Sequence, residues 1–308
     1  MKLDLDQAPQ AHASPARPRR IVILSDTHLS DGRRGAGSVE ALRPLWQGAD
    51  RLIFNGDTVE MRSPRTRDAA HQRLEELQQL TAADGVELTL IAGNHDPFVS
   101  ELDWMELVGG AVVLTHGDIL QPAVRPWAEA VAWLRADRDH QAELHANASA
   151  EPCDHDEPSA ADFQQQLAAT KRAAVREWRE ANQARFEAAQ LSRPVRWWRK
   201  VQRLSRAWFY WTVFPGRAHR FAEEEFPRAQ FVVFGHIHTP GDWVEPNALG
   251  PVRDRVVIYT GSFYLPPRPR AVVIEGRAVS FWKVRGSAKR GYRLAKAPTW
   301  TGRIDSDG

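Results

Sequence analysis

From Ile21 onward the chain alternates between short apolar runs rich in β-branched residues and longer stretches with a helical repeat. IVILSD from Ile21, RLIFNGD at Arg51 to Asp57, VELTLIAGNHD at Val86 to Asp96, AVVLTHGD at Ala111 to Asp118 and QFVVFGHIH at Gln230 to His238 share one form. Each is an apolar run that ends in Gly and polar residues, the pattern of strands buried on both faces. Between the first of them, Ser38 to Trp46 and Thr66 to Leu80 have helical length, with Leu74, Leu77 and Leu80 along one apolar edge. RVVIYTGSF, RAVVIEG and AVSFWKV follow from Arg255 to Val284 as closely spaced strands, with Glu275 and Gly276 at a hairpin turn. The pattern predicts an α/β fold in which Asp, Asn and His gather at the carboxyl ends of strands, where open α/β sheets bind ligands.

The flanks and the middle differ. Residues 1–20 show no periodic apolar face and read as a flexible arm, and 286–308 as a basic tail, leaving a domain over 21–285. Within it, 122–228 reads as a helical insertion: helical runs at Val124 to Ala146 and Ala160 to Leu191 are separated by the polar SAEPCDHDEPS, and a third follows Pro194. In that third run Trp197, Val201, Leu204, Trp208 and Trp211 recur at the helical period, with Arg199, Lys200, Arg203 and Arg206 largely away from them. Such a helix packs its Trp face on the domain or lays it on an anionic membrane.

Composition narrows the classes. The 308 residues are 43% hydrophobic and 26% charged, enough apolar material for a substantial core. The 41 Lys and Arg against 39 Asp and Glu leave a formal charge of +2, so nucleic acid is an unlikely partner for the surface as a whole. A single cysteine, Cys153, excludes a disulfide framework and a cysteine-built zinc site. The amino-terminal residues lack the apolar run of a secretory signal, and AWFYWTVF, the longest membrane candidate, is too short to span, so a cytoplasmic location with at most peripheral membrane contact is expected.

The chemistry lies in an ordered set: DTH at Asp26 to His28, GD at Gly56 and Asp57, GNHD at Gly93 to Asp96, HGD at His116 to Asp118, and GHIH at Gly235 to His238. Asp26, His28, Asp57, Asn94, His116, His236 and His238 offer more oxygen and nitrogen donors than one tetrahedral metal uses, so two metals can share them. Any one of them alone reads more simply as a cap or loop residue; the ordered set is what carries the metal reading.

This set closely resembles the calcineurin-like metallophosphoesterase family over roughly Ile21 to Gln121 and Gln230 to Pro266. The resemblance implies two facing mixed β-sheets flanked by helices. It also implies that Asp26, His28 and His238 hold one divalent ion and Asn94, His116 and His236 the other, with Asp57 bridging. A metal-bridging hydroxide would then attack a phosphate ester or diphosphate in line. His95 is by the same resemblance the non-ligand histidine at the leaving oxygen, and Asp96 is expected to orient its ring. Glu60, beside the bridge, reads as a surface or capping residue, and Ser262 in YTGSF as a turn or a phosphate contact. Manganese is the first expectation, with iron, zinc, cobalt or nickel also compatible with these donors.

More remotely, the chain resembles the UDP-2,3-diacylglucosamine hydrolases, which combine the same motifs with a helical insertion over an acylated substrate; it departs from them by carrying His95 where their pattern has Arg. That resemblance implies a lipid-linked diphosphate as one substrate beside phosphorylated small molecules. The competing class is a noncatalytic metal-binding scaffold whose insertion serves as a protein interface.

Overall fold

The computed structural model describes residues 19–29, 35–61, 64–118, 214–246, 248, 254–264 and 267–305, without the side chains of 64, 65 and 245. The chain enters at β1 (Arg20–Leu24), followed by α1 (Val39–Leu42), β2 (Arg51–Asn55), α2 (Pro64–Ala83) and β3 (Glu87–Ile91). Next come β4 (Trp104–Leu107), β5 (Val112–Thr115), a helix over 214–225 and β6 (Phe231–Phe234). The chain closes with β7 (Gly241–Glu245), β8 (Arg255–Tyr259), β9 (Arg270–Glu275), β10 (Ala278–Ser287), β11 (Gly291–Leu294) and β12 (Trp300–Arg303).

These strands make two mixed sheets, ordered β11-β10-β9-β1-β2-β3 with β12 on β10, and β4-β5-β6-β8-β7. β1, β2 and β3 are parallel in the first sheet, and β5, β6 and β8 in the second. Period-two alternation builds the layers. Ile21, Ile23 and Ile53 face Leu114, Val233 and Ile258 of the other sheet in a central core. Val22, Leu24, Leu52 and Phe54 turn outward to a second core with Val39, Leu42, Ala70 and Leu77. A third core lies on the far face of the second sheet, where Phe214, Ala218, Phe221 and Ala222 of the 214–225 helix meet Val232, Phe234, Val257 and Tyr259. The fold is α/β, two facing mixed sheets with helices outside.

Several elements differ from the sequence reading. Residues 38–46 form only a short α1, N-capped by Ser38, whose hydroxyl accepts from the Ala41 amide at 3.2 Å, and then a 3₁₀ turn over Arg43–Leu45. Pro44 is the physical reason, since it has no N–H and its ring excludes the carbonyl one turn back in an α-helix. β4 and β7 are edge strands with half-exposed residues, so no apolar alternation marks them. Residues 286–308 are not simply a tail: β10 continues to Ser287 and pairs with both β11 and β12, and Tyr292 and Ile304 are buried. Two isolated buried side chains among cations leave no periodic signal. The expected runs at 124–146, 160–191 and 196–211, with their Trp and Arg faces, and most of the arm at 1–20 lie outside the described residues. Among the described residues, no helix is long and apolar enough to cross a membrane.

Candidate metal centre

All seven candidate ligands lie in loops just after strands. Asp26 and His28 follow β1, Asp57 follows β2, Asn94 follows β3, His116 follows β5, and His236 and His238 follow β6. Backbone bonds stitch these loops together: the Asp26 amide donates to Gly56 O (3.1 Å), the His28 amide to Asp57 O (3.0 Å) and the Gly235 amide to His116 O (3.0 Å). The Asn55 amide group crosses between sheets, donating to Thr115 O (2.9 Å) and Val233 O (3.0 Å). Among the described residues, six non-glycine residues have positive φ, and five of them are Asp26, His28, Asp57, His236 and His238, at 44° to 65°. Left-handed backbone costs an L-residue about 1 kcal/mol or more, so the surrounding packing holds these loops in shape. Gly56 and Gly235 are required by crowding: a Cβ at Gly56 would overlap the His116 ring, and one at Gly235 the Asp26 carboxylate.

The donor atoms converge. Asp26, His28, Asp57 and His238 offer ligand atoms all within 4.8 Å of one another. The His28 and His238 Nε2 atoms stand 3.4 Å apart, and His238 Nε2 lies 3.2 Å from Asp26 Oδ1. On the other side, His116 Nε2 is 3.4 Å from Asp57 Oδ1 and 3.3 Å from Asn94 Oδ1, and the His236 ring lies 5.2 Å from that of His116. The two Asp57 oxygens thus face different donor groups, Oδ1 toward His116 and Oδ2 toward His28 at 3.7 Å. His116 Nδ1–H donates to Asn55 O at 3.0 Å, which turns Nε2 inward, the second-sphere contact that orients imidazole ligands. Neutral imidazole, carboxylate and amide donors arranged in this way fit divalent cations.

Burial and the mutual pull of carboxylates and imidazoles set the electrostatics of the site. Burial and the nearby His95 push His28 down to about 3, which keeps its ring neutral as a ligand must be. Burial raises the Asp57 carboxyl, but His116, His95 and His28 outweigh it and hold the group well below the usual range. His116 shows the reverse balance: burial lowers it, while Asp57, Asp26 and Asp118 carry it well above the usual value. The buried carboxylates demand positive charge at this point of the fold.

His95 lies on the rim, its amide donating to Asp57 Oδ1 (2.8 Å) and its Nε2 3.9 Å from Asp57 Oδ2. Its Nδ1 meets Glu60 Oε2 at 2.7 Å, and His28, Glu60 and His95 form a second cluster of potential ligand atoms. Glu60 therefore takes the place the sequence reading gave to Asp96, and it is only 8% exposed rather than a surface residue. Its position three residues after Asp57 was the available signal.

Asp96 clamps backbone instead. Its Oδ1 accepts from the Asp57 and Gly93 amides (both 3.0 Å), and its Oδ2 from those of Thr58 (2.7 Å) and Val59 (3.1 Å). Burial and the Asp57 charge push the carboxyl up to about 7, against the pull of the amides. Four donors leave no acceptor for a carboxylic O–H, so the loop is built around the ionised form. Ser262 is a turn residue, its hydroxyl donating to Asp26 O (3.2 Å) and accepting from the Tyr264 amide (2.8 Å). Tyr264 escaped the sequence reading; its ring lies 5.1 Å from that of His28 and 5.7 Å from that of His238.

Clustered N and O donors at the carboxyl ends of two facing sheets form a candidate divalent-metal centre. The chain belongs to the calcineurin-like phosphoesterases, whose family model matches residues 19–240. Similar solved structures include a dimetal phosphatase from Danio rerio, with 12% identity and a TM-score of 0.44 over 94% of this chain and 100% of that one. Vacuolar Protein Sorting 29 from Cryptosporidium parvum is similar at 10% identity and TM-score 0.39, over 92% and 100%. A metallophosphoesterase from Sphaerobacter thermophilus is similar at 16% identity and TM-score 0.31, over 87% and 88%. No curated protein matches the chain.

Proposed function

We propose that the protein is a dinuclear metal-dependent hydrolase of phosphate esters or diphosphates, with Asp26, His28 and His238 holding one ion, Asn94, His116 and His236 the other, and Asp57 shared. The observation that carries this reading is the division of the Asp57 carboxylate between two donor groups, 3.4 Å from His116 Nε2 and 3.7 Å from His28 Nε2. Two divalent ions held there, manganese first among them, would neutralise charge building on the phosphoryl oxygens and acidify a water. The chain supplies the rest. The buried loops fix the donors before substrate arrives, and Glu60 accepts from His95 Nδ1–H, which leaves Nε2 as the atom that exchanges a proton with the leaving oxygen.

The test is metal-dependent turnover on a panel of aryl phosphates, phosphodiesters, nucleoside diphosphate sugars and an acylated UDP-sugar. Wild type reconstituted with manganese turns over at least one class, and Asp57→Asn reduces both metal content and rate by orders of magnitude. Equal rates in the two proteins overturn the shared-ligand assignment. No metal-dependent turnover on any class, with a partner held through 122–228, favours the scaffold reading.

A further inference from the structure

The carboxyl-terminal hairpin carries a charge pattern that the proposed hydrolytic site leaves unexplained. Between residues 277 and 304 the sequence has eight Lys or Arg and no Asp or Glu. In the fold, Lys283, Arg285, Lys289, Arg290, Arg293 and Lys296 are all exposed, and among the described residues none of these side chains makes a hydrogen bond or ion pair. Arg285 and Arg293 stand directly opposite each other across the β10–β11 ladder, and Lys283 opposite Arg270 across β9–β10. Like charges in such pairs repel, so the ladder tolerates them at a cost. Burial first, and neighbouring Arg268 second, lower the Arg270 pKa.

The row begins beside the metal centre. The Arg268 and Arg270 amides donate to Ser262 O (2.9 Å) and Thr260 O (2.8 Å), and the Ser262 hydroxyl donates to Asp26 O. The hairpin tip at Ala288 crowds Gly37, in the chain that leads on from the His28 loop. From Arg270 to β11 spans two strand spacings, about 10 Å, and from Lys283 to Ser287 about 13 Å along β10.

We infer that this face of the hairpin is a docking surface for a nucleic-acid strand, gripped through its phosphate backbone. A row this long tracks a chain of phosphates, where a single phosphorylated small molecule would need two or three cations. Trp282 and Tyr292 pack against the opposite core, so neither offers bases a stacking platform, and the row of cations reads backbone rather than bases. The exposed turn of Ala288, Lys289 and Arg290 has no large apolar side chain to enter a lipid surface. The surface stands on the hairpin alone, independent of the proposed hydrolysis.

The experiment is fluorescence anisotropy of a labelled single-stranded oligonucleotide across a salt series, with wild type, Arg285→Ala/Arg293→Ala, and a control, Arg277→Ala/Arg303→Ala, at the other end of β10. Wild type binds at about 50 mM salt; the hairpin variant loses at least about tenfold in affinity, with a salt slope shallower by about 1.4 units, and the control binds as wild type. Hydrolysis of a small aryl phosphodiester is the same in all three, so a failure of the catalytic reading does not disturb the binding result. No binding by wild type, or equal losses in hairpin variant and control, overturns the inference. So does binding confined to phosphatidylserine vesicles, or competition by tripolyphosphate as effective per molecule as by the oligonucleotide.

Discussion

Glu60 Oε2 lies 2.7 Å from His95 Nδ1, and this contact fixes which imidazole nitrogen faces the metal centre. With Nδ1–H donated to the carboxylate, Nε2 points toward Asp57 Oδ2, 3.9 Å away. Glu60→Ala frees the ring to rotate, and kcat on a substrate with a poor leaving group falls about tenfold or more while metal content holds. Glu60→Asp keeps a carboxylate acceptor for Nδ1–H and recovers part of the loss. An unchanged kcat on the poor leaving group, or no recovery in Glu60→Asp, places Glu60 outside proton transfer.

Asp96 ties the Gly93 loop to the Asp57–Val59 loop through four backbone amides. Asp96→Asn turns an NH₂ toward donors that need an oxygen, leaving two buried amides unsatisfied, and costs on the order of 2–5 kcal/mol. Urea unfolding of the metal-free proteins measures it. A loss below about 1 kcal/mol shows that the loops hold without the clamp.

Asp84 receives Arg43 Nε (3.0 Å) and Nη2 (2.7 Å) and the indole N–H of buried Trp46 (2.9 Å). The Arg43 and Trp46 hydrogen bonds lower its pKa in the fold. The stability they contribute is therefore fully present above the unfolded value near 3.9 and disappears as pH falls through the lower folded value. Asp84→Asn is less stable than wild type at pH 7, and the gap narrows toward pH 3. A gap that stays constant across that range removes ionisation as the cause.

Arg293 opposes Arg285 across the hairpin, and among the described residues no acid pairs with either. Arg293→Thr keeps β-propensity, removes the like-charge pair and stabilises the protein by a few tenths to about 1 kcal/mol at low salt. The gain shrinks as salt is added. Thermal unfolding at two ionic strengths reads both effects, and a destabilised variant shows that Arg293 packs rather than repels.

Local pattern determined a good part of this protein. Apolar runs such as IVIL and FVVF have no alternative to burial as strands, and the ordered Asp, Asn and His at their ends mark a metal site because each sits one to four residues past a strand. Tertiary structure decided what depends on residues distant in sequence. Whether Glu60 or Asp96 reaches the His95 ring turns on how the β2 and β3 loops fold over each other, and both carboxylates are close enough in sequence to be candidates. The left-handed backbone at Asp26, His28, Asp57, His236 and His238 is held by bonds between loops, which no local propensity encodes. The basic carboxyl terminus looked like a tail because its strands bury few side chains; only pairing with β10, itself held by β9, gives those residues a sheet to join.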